Sequence, residues 1–271
     1  MKIFIDSADL LEIKEAYSYG IMDGVTTNPS LMKKALTNNK FRGVSVEKYI
    51  KEILKTAGKS PVSLEVTTTD FYEMVKEGKN LFKKFNKFGN VYIKIPVDPC
   101  LDKECKNDMD GIRAIRELTA SKVPVNCTLI FTPEQALLAS KAGAKIVSPF
   151  LGRENDFIRE KAHIKFSKED YFPQAGIKRG NKKVSDSGIV SGVDLVEEIV
   201  NLFKKHKIKT EVLASSIRNP REFREVAEVG ADIATIPFKM IKDLVKHPKT
   251  LEGINKFTND ASKEYKKLGE K

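Results

Sequence analysis

Short apolar runs alternate with amphipathic stretches along the whole chain. Runs rich in β-branched and aromatic residues predict strands. They lie at residues 2–6, 24–27, 62–66, 91–97, 123–128, 145–148, 210–214 and 232–236. Stretches with apolar positions three and four residues apart predict helices between these strands. They lie at residues 9–19, 46–56, 70–88, 110–121, 133–142, 193–206, 220–229 and 238–247, with a final helix at 251–268.

Eight strand–helix units of about 34 residues each predict an α/β fold, a (β/α)8 TIM barrel. A doubly wound sheet is the competing architecture, and it commonly has a glycine-rich turn after the first strand. Here that turn is Asp6-Ser7-Ala8-Asp9, without glycine, which favours the barrel. Since no Pro/Ser-rich linker divides the sequence, we expect one barrel domain over residues 1–271, with an extended loop after strand six and a C-terminal helix.

The extended loop after strand six is unusually long for a compact domain. Residues 154–192 are polar and basic and include Pro173, Gly176, Gly180 and Gly188. Because a loop that follows a barrel strand lies on the C-terminal face, we expect this one to lie there, where it could form a lid over a site.

Composition indicates an ordinary globular protein, with 41% hydrophobic and 31% charged residues in 271. No run approaches the roughly 18 apolar residues of a membrane span. The first residues, Met1–Asp6, read directly as a strand and lack the anatomy of a signal peptide. We therefore expect a cytoplasmic protein with no membrane partner.

The net charge of +11 has two interpretations, a nucleic-acid partner or attraction of anionic substrates. The lysines are spread along the chain in doublets, and no dense basic block interleaves with aromatic residues. This pattern favours a solvated lysine-rich surface and no nucleic-acid partner.

Cysteine and histidine are sparse. Three cysteines, an odd number with no histidine nearby, argue against a disulfide framework or a zinc site. Cys127 lies in a predicted strand, where it would be a small apolar filler, and Cys100 and Cys105 receive no role. The three histidines are scattered, so we expect no metal.

Lys94 lies in the middle of an apolar strand, Val91–Val97. Burial of an ammonium group penalises its charged form, and a lysine that is partly neutral attacks carbonyl carbons to form a Schiff base. The alternative is an edge strand on which Lys94 faces water and blocks pairing.

Polar residues gather at the carboxyl ends of the predicted strands, where barrel active sites lie. They are Asp6, Thr26, Thr27, Asn28, Glu65, Lys94, Asn126, Thr128, Ser148, Arg153, Ser215, Ser216 and Arg218, whereas strand eight ends apolar at Pro237 and Phe238. The set combines one amine, two carboxylates that could move protons, and amides and hydroxyls that could orient a polyhydroxylated substrate. Taken singly, each of these residues could equally be a turn former or a helix cap.

The segment Ser215–Pro220 follows strand seven and opens a helix. Free N–H groups at a helix start, two hydroxyls and Arg218 predict an anion site, to which Arg153 could add a second guanidinium. Simple capping by Ser216 or Asn219, with Arg218 in solvent, is the alternative.

The motifs of these strands resemble the transaldolase family over nearly the whole chain. They include Phe4–Ala8, Gly24–Ser30, Ser63–Val66, Ile93–Pro96, Asn126–Phe131, Gln135–Ala136, Ser148–Arg153 and Ser215–Asn219. The resemblance implies an α/β barrel enzyme that carries a dihydroxyacetone unit from a ketose phosphate to an aldose phosphate in the pentose phosphate pathway. Fructose 6-phosphate and sedoheptulose 7-phosphate are the implied donors. It also implies a homo-oligomer and no external cofactor, because an iminium group is itself the electron sink.

The resemblance also implies a role for each site residue. Lys94 would form the Schiff base, Asp6 would take a proton from the substrate, and Glu65 with Thr128 would activate a water. The implied substrate-binding residues are Thr26, Asn28, Asn126, Ser148, Phe150, Arg153, Ser216 and Arg218.

A neighbouring branch, the fructose 6-phosphate aldolases, releases free dihydroxyacetone and typically has glutamine and tyrosine where Glu65 and Phe150 stand. These two residues favour a transaldolase. The chain departs from the family's shorter members by the insertion at 155–191 and by an added loop at 99–108, both on the predicted catalytic face.

Overall fold

Eight parallel strands close into a barrel in the computed structural model, which describes residues 1–37, 44–102, 105–262, 265–266 and 268–269. The barrel strands are β1 (Lys2–Asp6), β2 (Gly24–Thr26), β3 (Pro61–Glu65), β4 (Asn90–Pro96), β5 (Val125–Ile130), β6 (Ile146–Pro149), β9 (Glu211–Ala214) and β10 (Ile233–Ile236). β1 pairs with both β2 and β10, which closes the ring. The predicted (β/α)8 barrel is confirmed.

Helices cover the outside of the barrel. They are α1 (Leu10–Ser18), α2 (Pro29–Thr37), α3 (Val46–Ala57), α4 (Phe71–Phe85), α5 (Asp110–Ala120), α6 (Pro133–Ala142), α7 (Leu151–Lys161), α8 (Gly192–Lys205), α9 (Pro220–Glu228), α10 (Phe238–Asp243) and α11 (Pro248–Asp260). Asp9, Asp70 and Ser191 cap α1, α4 and α8, because their side chains accept hydrogen bonds from the first turns of these helices. The predicted C-terminal helix is present and ends at Asp260.

Two helices escaped the sequence prediction. α2 begins where Asn28 Oδ1 accepts from the N–H of Leu31 at 2.9 Å, and Pro29 fits its first turn. α7 opens the long connection after strand six, and its buried face includes Glu154, Asn155 and Arg159. Because polar groups face inward on α7, its apolar residues do not show the helical period on which the prediction relied.

The rest of the long connection is fastened to the barrel. Arg159 of α7 lies between the rings of Phe166 and Phe172, 4.9 and 5.0 Å from their centroids. The hydroxyl of Tyr171 donates to Glu225 of α9 at 2.7 Å. A short exposed hairpin, β7 (Lys178–Arg179) with β8 (Lys182–Lys183), completes the segment. Its action as a lid stays a prediction.

The barrel interior has an apolar layer near the amino ends of its strands. It consists of Phe4, Ile146, Leu213 and Ile233, with Tyr92 packed against them. Gly24 lies beside this layer, where a methyl group would come within 2.5 Å of the Phe4 ring. Glycine is therefore required at this position of β2 by the size of Phe4.

Two cysteines to which the sequence analysis gave no role are paired. Cys100 and Cys105 are joined by a disulfide in the loop after β4, with Cα atoms 5.8 Å apart, while Cys127 is buried and free. Counting cysteines for a framework overlooked a local pair within one loop. In the described part of the chain, no helix is both long and apolar enough to cross a membrane.

Candidate active site

A polar cavity of about 120 Å³ lies at the carboxyl ends of the barrel strands. Its lining residues are Asp6, Thr26, Asn28, Lys94, Ser148, Phe150, Arg153, Ser215, Ser216 and Thr235. Eight of the twelve residues predicted for the site thus face one space, and Glu65, Asn126 and Thr128 lie on the strands beside it. Strand register explains the assembly, because Glu65, Lys94 and Asn126 are direct partners across β3, β4 and β5.

Lys94 is buried, with 4% of its surface exposed. Its Nζ lies 3.1 Å from Glu65 Oε2 and donates to the carbonyl oxygen of Thr27 at 3.3 Å. The edge-strand alternative is wrong, since β4 is paired on both sides and the lysine points into the cavity. A buried amine held by one carboxylate and one carbonyl has its nitrogen fixed for attack on a ligand.

Asp6 shares the cavity with this amine. Burial raises the pKa of its carboxyl group, against the opposing effects of Lys94, of a hydrogen bond from Thr26 and of Arg153. The Thr26 hydroxyl donates to Asp6 Oδ1 at 2.8 Å. A carboxylate whose proton affinity is increased in this way suits general acid–base chemistry.

Asn126 and Ser148 form a fixed polar pair. The Ser148 hydroxyl donates to Asn126 Oδ1 at 2.7 Å, and Asn126 Nδ2 donates to the hydroxyl of Ser63 at 3.2 Å. All three residues are at most 1% exposed. Such an arrangement presents oriented donors and acceptors to a hydroxylated ligand.

Thr128 lies one pleat beyond Asn126 on the same face of β5. Its hydroxyl is buried and has no hydrogen-bond partner. Next to it Leu129 has a φ of 59°, and the register of β5 against β6 shifts between Cys127 and Ile130. An unpaired buried hydroxyl at a strand bulge is a typical place for a bound water or ligand group.

A candidate anion site lies where α7 begins. Ser216 adopts a φ of 63°, a left-handed conformation that is uncommon for residues other than glycine. Gly152 allows α7 to approach it, since a methyl group there would lie 2.2 Å from the Ser216 carbonyl oxygen. Arg153 follows in the first turn of α7 and lines the cavity. A cation, a hydroxyl and a helix N-terminus together suit a phosphate group.

The ring of Phe150 lies close to both Lys94 and Arg153. Its ring centroid lies 5.9 Å from Lys94 Nζ and 5.2 Å from the Arg153 guanidinium. The ring also contacts Phe131 at 6.1 Å between centroids. This side chain brings an apolar surface to an otherwise polar cavity.

Arg218 is not brought into the cavity lining. Its two terminal nitrogens each donate to one oxygen of Asp156 at 2.6 Å, and one also donates to the carbonyl of Lys168 at 3.2 Å. The predicted phosphate role of Arg218 therefore stays a prediction, while the structure shows it fastening α7 to the loop after β9. Asp156 lies 62 positions away in sequence, so no local pattern could have indicated this pair.

Sequence reasoning missed Thr235. Strand eight was expected to end apolar, yet Thr235 of β10 lines the cavity and its hydroxyl lies 2.6 Å from that of Thr26. The available signal was its position two residues after Ile233, on the inward face of a strand. Among the residues that the structure describes, no cluster of His, Cys, Asp and Glu is arranged to hold a metal ion.

Comparison with known proteins identifies the family of this chain. The model of the transaldolase/fructose-6-phosphate aldolase family matches residues 3–270. A probable transaldolase of Thermoplasma acidophilum is 39% identical over 264 residues, covering 97% of this chain and 96% of that protein. Probable transaldolases of Anaeromyxobacter sp. and Chlorobium phaeobacteroides are 39% and 40% identical, each over 97% of this chain and over 97% and 96% of their own lengths. The chain therefore belongs to the transaldolase/fructose-6-phosphate aldolase family.

Proposed function

We propose that this protein is a transaldolase that transfers a dihydroxyacetone unit from a ketose phosphate to an aldose phosphate through a Schiff base on Lys94. The observation that carries the proposal is a buried amine 3.1 Å from Glu65, in one cavity with Asp6 and with the anion site of Arg153 and Ser216. Fructose 6-phosphate and sedoheptulose 7-phosphate are the proposed donors, in the pentose phosphate pathway.

Schiff-base formation begins with attack of the neutral amine of Lys94 on the C2 carbonyl of the donor. The carbinolamine then loses its hydroxyl as water, which needs an acid, and Glu65 lies within reach of the nitrogen. The unpaired hydroxyl of Thr128 offers the water a second hydrogen bond. Hydrolysis of the iminium is the reverse reaction and uses the same two residues, Glu65 and Thr128.

Cleavage of the C3–C4 bond follows from the iminium. Asp6 takes the proton of the C4 hydroxyl, the C4–O bond becomes a carbonyl, and the electron pair of the C3–C4 bond moves into the iminium to give an enamine. The aldose phosphate leaves, and the enamine attacks the aldehyde carbon of the acceptor as Asp6 returns the proton. Electrons and protons balance without an external cofactor.

The remaining residues hold the substrate. Asn28, Asn126 and Ser148 offer donors and acceptors to the hydroxyls of the dihydroxyacetone unit. Arg153 and Ser216 bind the phosphate at the start of α7. Thr26, also proposed at the site, uses its hydroxyl to hold Asp6.

Borohydride trapping tests the proposal. The protein is incubated with fructose 6-phosphate, reduced with borohydride, digested and mapped by mass spectrometry. We expect a reduced dihydroxyacetone or hexose phosphate adduct on the peptide that contains Lys94. An adduct on another lysine, or none, would refute the mechanism.

Release of free dihydroxyacetone distinguishes transfer from aldolase activity. Phe150 has no hydroxyl with which to protonate the enamine, so the fragment should stay bound until an acceptor arrives. We expect slow release from fructose 6-phosphate alone and fast product formation when erythrose 4-phosphate is added. Rapid release without an acceptor would instead assign the protein as a fructose 6-phosphate aldolase.

A further inference from the structure

Two threonine hydroxyls form a hydrogen-bonded series that ends on Asp6. The hydroxyl oxygen of Thr235 on β10 lies 2.6 Å from that of Thr26 on β2. The Thr26 hydroxyl in turn lies 2.8 Å from Asp6 Oδ1. Both threonines are 2% exposed, so bulk water does not compete for their hydrogen bonds.

The direction of this series follows from counting hydrogens. A threonine hydroxyl carries one hydrogen, and an ionised carboxylate can only accept. While Asp6 is ionised, Thr26 gives its hydrogen to Asp6 and has none left for Thr235. The short contact between the two threonines is then a hydrogen bond in which Thr235 donates and Thr26 accepts.

We propose that Thr235 is a positioning residue that holds the Thr26 hydroxyl in the orientation in which it donates to Asp6. Thr235 acts on the reacting proton through Thr26, and its importance for turnover rests on the proposed function, in which Asp6 takes the proton of the C4 hydroxyl. Without the Thr235 donor, the Thr26 hydroxyl is free to rotate away from the carboxylate.

Proton affinity at Asp6 is the quantity that Thr235 controls. The hydrogen bond from Thr26 lowers the pKa of Asp6, in opposition to burial. Hydrogen bonds in a series polarise one another, by roughly 10–30% per bond. The charges of Lys94 and Arg153 also act on the pKa of Asp6, and Glu65 pairs with Lys94. Replacing Thr235 changes none of these three charged residues.

Thr235→Val tests the proposal, because valine keeps the shape and removes the hydroxyl. The acid limb of the pH profile of kcat/KM should move up by about half a pH unit, as expected for loss of one neutral hydrogen bond in the series. At pH values below the limb, kcat/KM should therefore be about threefold lower than in the parent. On the plateau, kcat and KM should change little. Thr235→Ser should restore the parent profile.

A matched control is Thr210→Val, which removes a hydroxyl that donates to the carbonyl of Ala144 at the opposite end of the barrel. Its profile should coincide with that of the parent. Should thermal melting show that Thr235→Val does not fold, Thr235→Ala carries the same prediction. Superimposed profiles for the parent and the hydroxyl-free variant would overturn the proposal, as would a Thr235→Ser profile that matches Thr235→Val.

Titration of Asp6 by carbon-13 NMR of labelled aspartate keeps this inference separate from the proposed function. The signal is assigned with Asp6→Asn and followed with no substrate present. We expect Asp6 to protonate at higher pH in Thr235→Val than in the parent and in Thr235→Ser. If Lys94 of the parent is not trapped by borohydride, the proposed function fails, whereas an unchanged Asp6 titration refutes the role of Thr235.

Discussion

Two layers inside one barrel differ in what they do, although the same strands build both. The apolar layer comprises Phe4, Tyr92, Ile146, Leu213 and Ile233. The polar layer lies two residues further along each of these strands and comprises Asp6, Lys94, Ser148, Ser215 and Thr235. Since residues i and i+2 of a strand share a face, the two layers are separated by about 7 Å.

The difference teaches how stability and chemistry are divided along each strand. In the apolar layer, Phe4, Leu213 and Ile233 are fully buried, and burial of their surface stabilises the fold. In the polar layer, Asp6 and Lys94 are taken out of water and held by only a few partners, which costs free energy. We therefore expect substitutions in the first layer to change stability and those in the second to change turnover.

The largest expected effect is in the polar layer. Lys94→Arg keeps a cation but cannot form an iminium, so turnover should fall by at least about a thousandfold, and borohydride should trap no adduct. Steady-state kinetics and peptide mapping measure both. Lys79→Arg is the control, since Lys79 pairs with Glu117 on the outer surface, and its kinetics should equal those of the parent. Substantial turnover by Lys94→Arg would show that the chemistry does not depend on the amine of the polar layer.

The apolar β-branched and aromatic runs made most of the barrel predictable from sequence. All eight strands were located to within about two residues, and polar residues at their carboxyl ends marked Asp6 and Lys94 as candidate site residues. Thr235 escaped because threonine is also an ordinary strand former, so its type alone did not mark it as part of a site.

Contacts between residues distant in sequence could not be predicted either. The ion pair of Arg218 with Asp156 depends on α7, a helix whose polar inward face concealed it. The disulfide of Cys100 with Cys105 was local, but the argument from an odd number of cysteines weighed against it. Strand positions thus followed from local pattern, whereas the loop and helix contacts around the candidate anion site depended on the folded structure.

The next largest effect is expected in the apolar layer. Phe4→Ala removes a ring that is fully buried, and the free energy of unfolding should fall by about 3–5 kcal/mol. Urea denaturation measures this change. Phe4→Leu, which keeps most of the volume, should lose markedly less. A loss below about 1 kcal/mol for Phe4→Ala would show that this layer does not carry the stability assigned to it.

A smaller loss is expected at Gly24, where a methyl group would lie 2.5 Å from the Phe4 ring. Gly24→Ala should lower the free energy of unfolding by about 1–3 kcal/mol through overpacking. The double variant with Phe4→Leu gives the side chain room, so its loss should be less than the sum of the two single losses. Simple additivity would contradict a steric origin.

The smallest expected effect is the loss of folding free energy that burial of Asp6 causes. It is measured from the pH dependence of the free energy of unfolding. Burial raises the pKa of Asp6 above the ordinary value of 3.8. Between that value and the raised one, the folded protein holds a proton that the unfolded chain has lost. The free energy of unfolding therefore falls as pH rises through this window, and the deficit stays constant above it.

Asp6→Asn removes this titration and keeps a side-chain oxygen that can accept from Thr26. Relative to the parent, the variant should gain stability as the pH rises from below 3.8 to neutral, while its turnover is lost. Denaturation at a series of pH values measures the difference between the two proteins. Phe4→Leu is the control from the other layer, and because it changes no titratable group, its deficit should be the same at every pH. If the stability curves of Asp6→Asn and the parent stay parallel, the charge of Asp6 costs the fold nothing and the division between the layers fails at this residue.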